Sequence, residues 1–172
     1  MDRYDGFHEF VHARQQSLMR TAYLLTGDAH LAEDLLQNVL IKVAGHWPKL
    51  LSQGSPEAYT RKALVNQYIS WRRRVRKELP SADPPERGHS HDDSTIARIV
   101  MVQALARLTP KQRAVIVLRF YEDRTERETA HLLGCSLGTV KSQTSYALGR
   151  LRTLAPELAH LLTETEFQEA NR

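Results

Sequence analysis

The stretch Thr125–Arg152, "TERETAHLLGCSLGTVKSQTSYALGRLR", spells out two helices and the turn between them. Thr125 with Glu128 three residues on is a capping box, in which each side chain bonds the other's backbone N–H and so opens a helix. Gly134 stands where a left-handed residue ends that helix, and Ser136 can cap the next. Ala130, Gly134 and Val140 then fall at helix-turn-helix spacing. The small Ala130 lets the second helix approach, Gly134 turns the chain, and Val140 packs back between the helices. Val140, Thr144, Ala147, Leu148 and Leu151 recur at helical spacing and form the inward face. Lys141, Ser142, Ser145 and Tyr146 therefore point outward near the helix start. Gly138 and Thr139 lie at the helix N-terminus, where free N–H groups and the dipole favour a phosphate. From Ser136 to Arg152 there is no Asp or Glu. A carboxylate here would be repelled by a DNA backbone, so this pattern suits a helix that reads base edges in a major groove.

Working outward, Thr109-Pro110-Lys111-Gln112 is a second capping box, opening a helix with Val115, Ile116 and Leu118. Before it, Ile96, Ile99, Val100 and Leu105 mark another helix. Further upstream, "LPSADPPERGHSHDD" (79–93) is rich in Pro, Ser and charge and almost free of apolar side chains, so it reads as a linker. Beyond the linker the helical period returns. Phe7, Phe10, Val11, Leu18, Ala22 and Leu25 share one face of a helix that Gly27 ends. Asp28 caps a second helix with Leu31, Leu35, Leu36, Val39, Leu40, Val43 and Trp47, for which Pro48 is the expected stop. A Gly/Ser loop follows, and Ser55, Pro56 and Glu57 start a third helix running to about Lys77. No strand-like alternation occurs. The expectation is an all-α chain of two small helical domains: residues 1–77, a flexible linker 78–94, residues 95–163, and a tail 164–172.

A second acid-free run, "TRKALVNQYISWRRRVRK" (60–77), carries Arg61, Lys62, Arg72, Arg73, Arg74, Arg76 and Lys77 with Tyr59, Asn66, Tyr68 and Trp71. Arginines track phosphates and aromatic faces stack on unpaired bases, so a second nucleic-acid surface is expected here. The formal net charge of +4 conceals both patches, because the acids lie elsewhere.

Other classes find little support. One cysteine, Cys135, allows no internal disulfide and reads as a small residue in a turn. His8, His12, His30 and His46 are scattered without metal-ligand spacing, and His89 and His91 sit in the linker without carboxylate or thiol partners. No metal, cofactor or catalytic residue is expected, and the chain does not read as an enzyme. With no apolar signal core and no run of membrane-spanning length, a cytoplasmic protein is expected. No heptad is long enough to pair two chains, so the free protein is expected to be a monomer. The rival reading is a stand-alone helix-turn-helix regulator, which binds a palindrome as a dimer.

Three segments in order, "GDAHLAEDLLQNVLIKVAGHW" (27–47), "PEAYTRKALVNQYISWRRRV" (56–75) and "LTPKQRAVIVLRFYEDRTERETAHLLGCSLGTVKSQTSYALGRLR" (108–152), resemble the bacterial RNA polymerase sigma factors of the extracytoplasmic-function group, nearest the actinobacterial SigE-type branch. The resemblance implies a region 2 domain and a region 4 domain. The first grips the clamp of the largest polymerase subunit and opens the −10 element. The second reads the −35 element and contacts the flap of the second-largest subunit. By the resemblance, Asp34, Leu35, Gln37 and Asn38 contact the polymerase core. Arg61, Lys62, Asn66, Trp71, Arg72, Arg73 and Arg74 serve −10 binding and melting, with a base-capturing loop from about Leu50 to Ser55. Gly138, Thr139, Lys141, Ser142, Gln143, Ser145, Tyr146 and Arg150 serve the −35 element. The partners implied are polymerase core, promoter DNA and an anti-sigma factor. The chain departs from the group at Asn38, where an acid is common, and at Gln143, where arginine is common.

Overall fold

The computed structural model describes residues 3–78 and 93–158, and every regular element in them is helical. Helix α1 (Phe7–Thr26) ends where Gly27 turns left-handed at φ 73°, and its N–H bonds the Tyr23 carbonyl. Asp28 then caps α2 (Ala29–Gln53), its carboxylate accepting from the Leu31 N–H at 3.0 Å. Helix α3 (Pro56–Glu78) begins at a proline whose missing N–H costs nothing at a helix start. Helices α4 (Asp93–Ala106), α5 (Pro110–Ile116), α6 (Glu126–Leu133) and α7 (Leu137–Leu154) follow. Between α5 and α6 the chain stays helical but widens to a π turn over Val117–Tyr121, and a 3₁₀ turn at Pro156–Leu158 ends the described chain.

Two expectations fail here for one physical reason. Pro48 does not stop α2, which runs five residues further to Gln53. Proline in a helix interior costs about 3 kcal/mol. However, Trp47 and Leu50 on either side of it are both buried, and burying two such side chains contributes about 1.5–3 kcal/mol each. Pro48 itself faces solvent. The expected Leu50–Ser55 loop is consequently the last turn of α2, closed by Gly54 at φ 74°. Likewise, Ile96 is 51% exposed and does not belong to the buried face of α4.

The expected division into two helical halves is present, but the halves are packed together. One core joins Leu18, Leu25, Leu36, Val39, Val43, Leu64, Val65 and Tyr68 of α1–α3 with Ala114, Val117, Leu118 and Leu132 of the second half. A smaller core of Leu105, Leu108, Ile116, Ala147, Leu148 and Leu151 holds α4, α5 and α7. The linker histidines His89 and His91, like the tail 164–172, lie outside the described residues.

Candidate nucleic-acid interface

The helix-turn-helix forms as its caps dictate. The Thr125 hydroxyl accepts from the Glu128 N–H at 3.2 Å, and the Glu128 carboxylate accepts from the Thr125 N–H at 2.7 Å. These bonds from Thr125 hold the Glu128 carboxyl below its ordinary range, its burial being slight. At Gly134 φ is 62°, a conformation that strains any residue with a Cβ, and the Cys135 N–H returns to the Ala130 carbonyl at 3.1 Å. Cys135 is half-buried and free. Ser136 caps α7 by accepting from the Thr139 N–H at 3.1 Å.

This cap makes a pH prediction. A carboxyl lowered on folding contributes stability above its unfolded pKa, and that contribution is lost as pH falls through the folded value. Glu128→Gln keeps an acceptor for the Thr125 N–H, as Gln112 provides at Thr109, and should remove this part of the acid dependence. Thr125→Ala should cost about 1 kcal/mol at pH 7. Urea titrations of both variants at pH 7 and pH 4 check this.

On α7 the inward face is buried as expected at Val140, Ala147, Leu148 and Leu151. Thr144 is half-buried, and its hydroxyl donates to the Val140 carbonyl at 2.8 Å, which explains how a polar residue is accommodated there. Outward lie Gly138, Lys141, Ser142, Ser145, Tyr146 and Arg150, all exposed, with Thr139 and Gln143 half-buried beside them. Tyr146 is 66% exposed, a large ring on the surface with no apolar reason to be there. The Lys141 ammonium rests 3.8 Å from Glu126 on α6, which aims it along the outer face.

On α3 the expected basic row is divided. Arg73 and Arg74 are exposed; Lys62, Asn66, Trp71 and Arg72 are half-buried, with the Arg72 guanidinium 6.0 Å from the Trp71 ring centre. Trp71 also packs against the shared core. Arg61 departs from the expectation. It is buried, bonded to Glu57 at 2.9 Å, to Ser17 at 3.3 Å and to Glu122 from the second half. In this arrangement it is closed to DNA, because Glu122 takes the place that a phosphate would need.

On α2, Asp34, Gln37 and Asn38 form an exposed polar stripe as expected, whereas Leu35 is only 6% exposed and belongs to the core. Sequence reasoning missed Ile41. It continues the Asp34–Gln37–Asn38 stripe at helical spacing and is 70% exposed. An apolar residue interrupting a polar stripe was the available signal.

Among the described residues no group of three His, Cys, Asp or Glu side chains can hold a metal ion, and no helix is long and apolar enough to cross a membrane.

The comparisons agree with this layout. Residues 10–78 match the family "Sigma-70 region 2", and residues 104–153 match "Sigma-70, region 4". The RNA polymerase sigma-E factor of Streptomyces avermitilis is 41% identical over 150 residues, covering 85% of this chain and 83% of that protein. The ECF RNA polymerase sigma factor SigL of Mycobacterium tuberculosis is 33% identical over 148 residues, covering 82% of this chain and 84% of its own. Among solved structures, the sigma factor RpoE of Bartonella quintana, in complex with the anti-sigma factor NepR, superposes with a TM-score of 0.69 at 28% identity, over 86% of this chain and 95% of that one. With a helix-turn-helix in its second half, a polar stripe on α2 in its first, and both family regions in order, the chain belongs to the sigma-70 family, in its extracytoplasmic-function group.

Proposed function

We propose that this chain binds RNA polymerase core and directs it to promoters, with α7 reading the −35 element and α3 engaging the −10 region. The observation that carries this reading is the outer face of α7: exposed Lys141, Ser142, Ser145 and Tyr146, no acid along the helix, and a capped N-terminus for a phosphate. The region 2 match favours a polymerase subunit over a stand-alone regulator, which has no use for that domain. Asp34, Gln37, Asn38 and Ile41 are the proposed core contact, and Arg72, Arg73 and Arg74 the proposed strand path. The partner named in the RpoE structure makes an anti-sigma factor a reasonable partner for this chain too.

Run-off transcription from a randomised promoter pool, with actinobacterial polymerase core, tests the reading. Start sites that appear only with this protein and share a pair of upstream motifs are the expected result. Core-independent binding to a palindrome would refute it. Lys141→Ala and Tyr146→Ala should each weaken −35 binding by about 1–3 kcal/mol and change the preferred bases. A weaker but unaltered preference would make them phosphate contacts instead.

A further inference from the structure

Besides the shared apolar core, the two halves meet at a buried ion pair whose acid the promoter-reading function does not use. Glu122 follows the π turn, and its side chain is 6% exposed. Its carboxylate accepts from the Thr21 hydroxyl on α1 and from the Arg61 guanidinium on α3. Two local departures from regular backbone flank it. The Val117–Tyr121 segment is π-helical, and Asp123 is left-handed at φ 52°, alone among the described non-glycine residues. Such departures cost energy and persist where the surroundings require them. Here they swing Glu122 out of its own half and into the socket formed by Thr21 and Arg61.

A second contact lies along the same seam. Arg113 is buried and donates from Nε to the Leu24 carbonyl at 2.6 Å. Burial pushes the Arg113 pKa down and that of Tyr68, which faces it from α3, up. The Arg98 guanidinium sits 5.4 Å from the Tyr23 ring centre. Meanwhile the outer face of α7 and the Asp34–Ile41 stripe remain open.

We infer that Glu122 is an intramolecular latch that holds the free protein closed, in a form that cannot occupy both promoter elements at once. This rests on the promoter-reading function proposed above. A compact chain of this length has a radius of gyration of about 16 Å, hence a diameter near 40 Å. Elements centred about 25 base pairs apart lie about 85 Å apart along B-DNA. The closed form spans half that distance. The chain between Glu78 and Asp93 reaches at most about 50 Å when extended, enough to cover the remainder once the halves part. Opening also uncovers Arg61. The latch therefore couples separation of the halves to exposure of a cation on α3, and polymerase core, by seating the halves apart, is the agent that releases it.

Small-angle scattering of the free full chain tests the latch, with run-off transcription as a second readout. The wild type should be compact. Glu122→Ala and Arg61→Ala should each expand it by several ångströms with helical circular dichroism retained, and Glu57→Gln, which spares the pair, should not. At limiting protein, Glu122→Ala should raise promoter-specific transcripts three- to tenfold. The isosteric Glu122→Gln carries the test if the alanine variant loses helix. A wild type already as expanded as Glu122→Ala, or a Glu122→Ala as compact as the wild type, overturns the latch. Expansion without any gain in transcription overturns its inhibitory role. If the variants expand as expected and neither they nor the wild type recruits polymerase, the proposed function fails and the latch stands.

Discussion

Trp47→Ala is expected to lower the unfolding free energy by about 3–5 kcal/mol, the range for deleting a large aromatic side chain from a packed core. Trp47 is 2% exposed. Phe7 and Phe10 of α1 stand against it with ring centres 5.2 Å away, and its indole N–H donates to the Asp5 carbonyl at 2.7 Å. The substitution thus removes the burial, two aromatic contacts and the partner of a backbone carbonyl together. Domain stabilities are typically about 5–15 kcal/mol, so this one substitution should remove a large share of the total. Urea denaturation followed by circular dichroism measures the loss. Trp47→Phe should lose less, because it keeps a ring between Phe7 and Phe10 and gives up the hydrogen bond. The same residue explains the path of α2, since Trp47 and Leu50 pull the helix into the core across Pro48. An alanine variant within 1 kcal/mol of wild type would show that this end of the core is not what holds α1 on α2.

What the sequence made legible was chemistry that is complete within a few residues. The caps at Asp28, Thr109, Thr125 and Ser136, and the left-handed Gly27 and Gly134, all form as the sequence predicts. A cap needs only its own helix, so its signal survives without knowledge of the rest. Pro48 misleads because the local cost of proline is visible in sequence, whereas the burial that offsets it depends on α1. Leu35, implied as a polymerase contact, lies in the core, and Ile41, to which the sequence reading assigns nothing, lies at the surface, for a similar reason. Both are aliphatic residues on α2, and only the direction of each relative to α1 and α3 separates the 6% exposed core residue from the 70% exposed surface one. Arg61 lay in an acid-free run, and nothing within that run indicates a carboxylate 61 residues downstream. The packing of one half on the other has no local signature at all. Helical spacing declares that Leu118 is buried, without declaring that α1–α3 bury it.

Ile41→Glu is expected to weaken the binding of polymerase core at least 100-fold while leaving the free protein's stability within about 0.5 kcal/mol of wild type, as is usual for exposed positions. The second half of that statement follows from the structure: at 70% exposure the Ile41 side chain contributes little to folding. The first half follows from what an interface would do with it. Interface energy concentrates in a few central apolar or aromatic anchors ringed by polar groups. On α2, Asp34, Gln37, Asn38 and Ile41 are all exposed; in the core contact proposed above, the three polar residues would supply that ring and Ile41 the anchor. Burying the isoleucine contributes about 1.5–3 kcal/mol, and a carboxylate in its place adds the cost of an unpaired charge withdrawn from water. Equilibrium binding of labelled protein to core polymerase, with Asp34→Ala/Gln37→Ala alongside, measures the effect. Leu35→Ala makes the contrast. It should destabilise the fold by about 2–5 kcal/mol as a core truncation, so a binding defect in that variant would say nothing about the clamp. If Ile41→Glu binds core within threefold of wild type, the contact lies off the Asp34–Ile41 stripe, and the exposed isoleucine has some other partner.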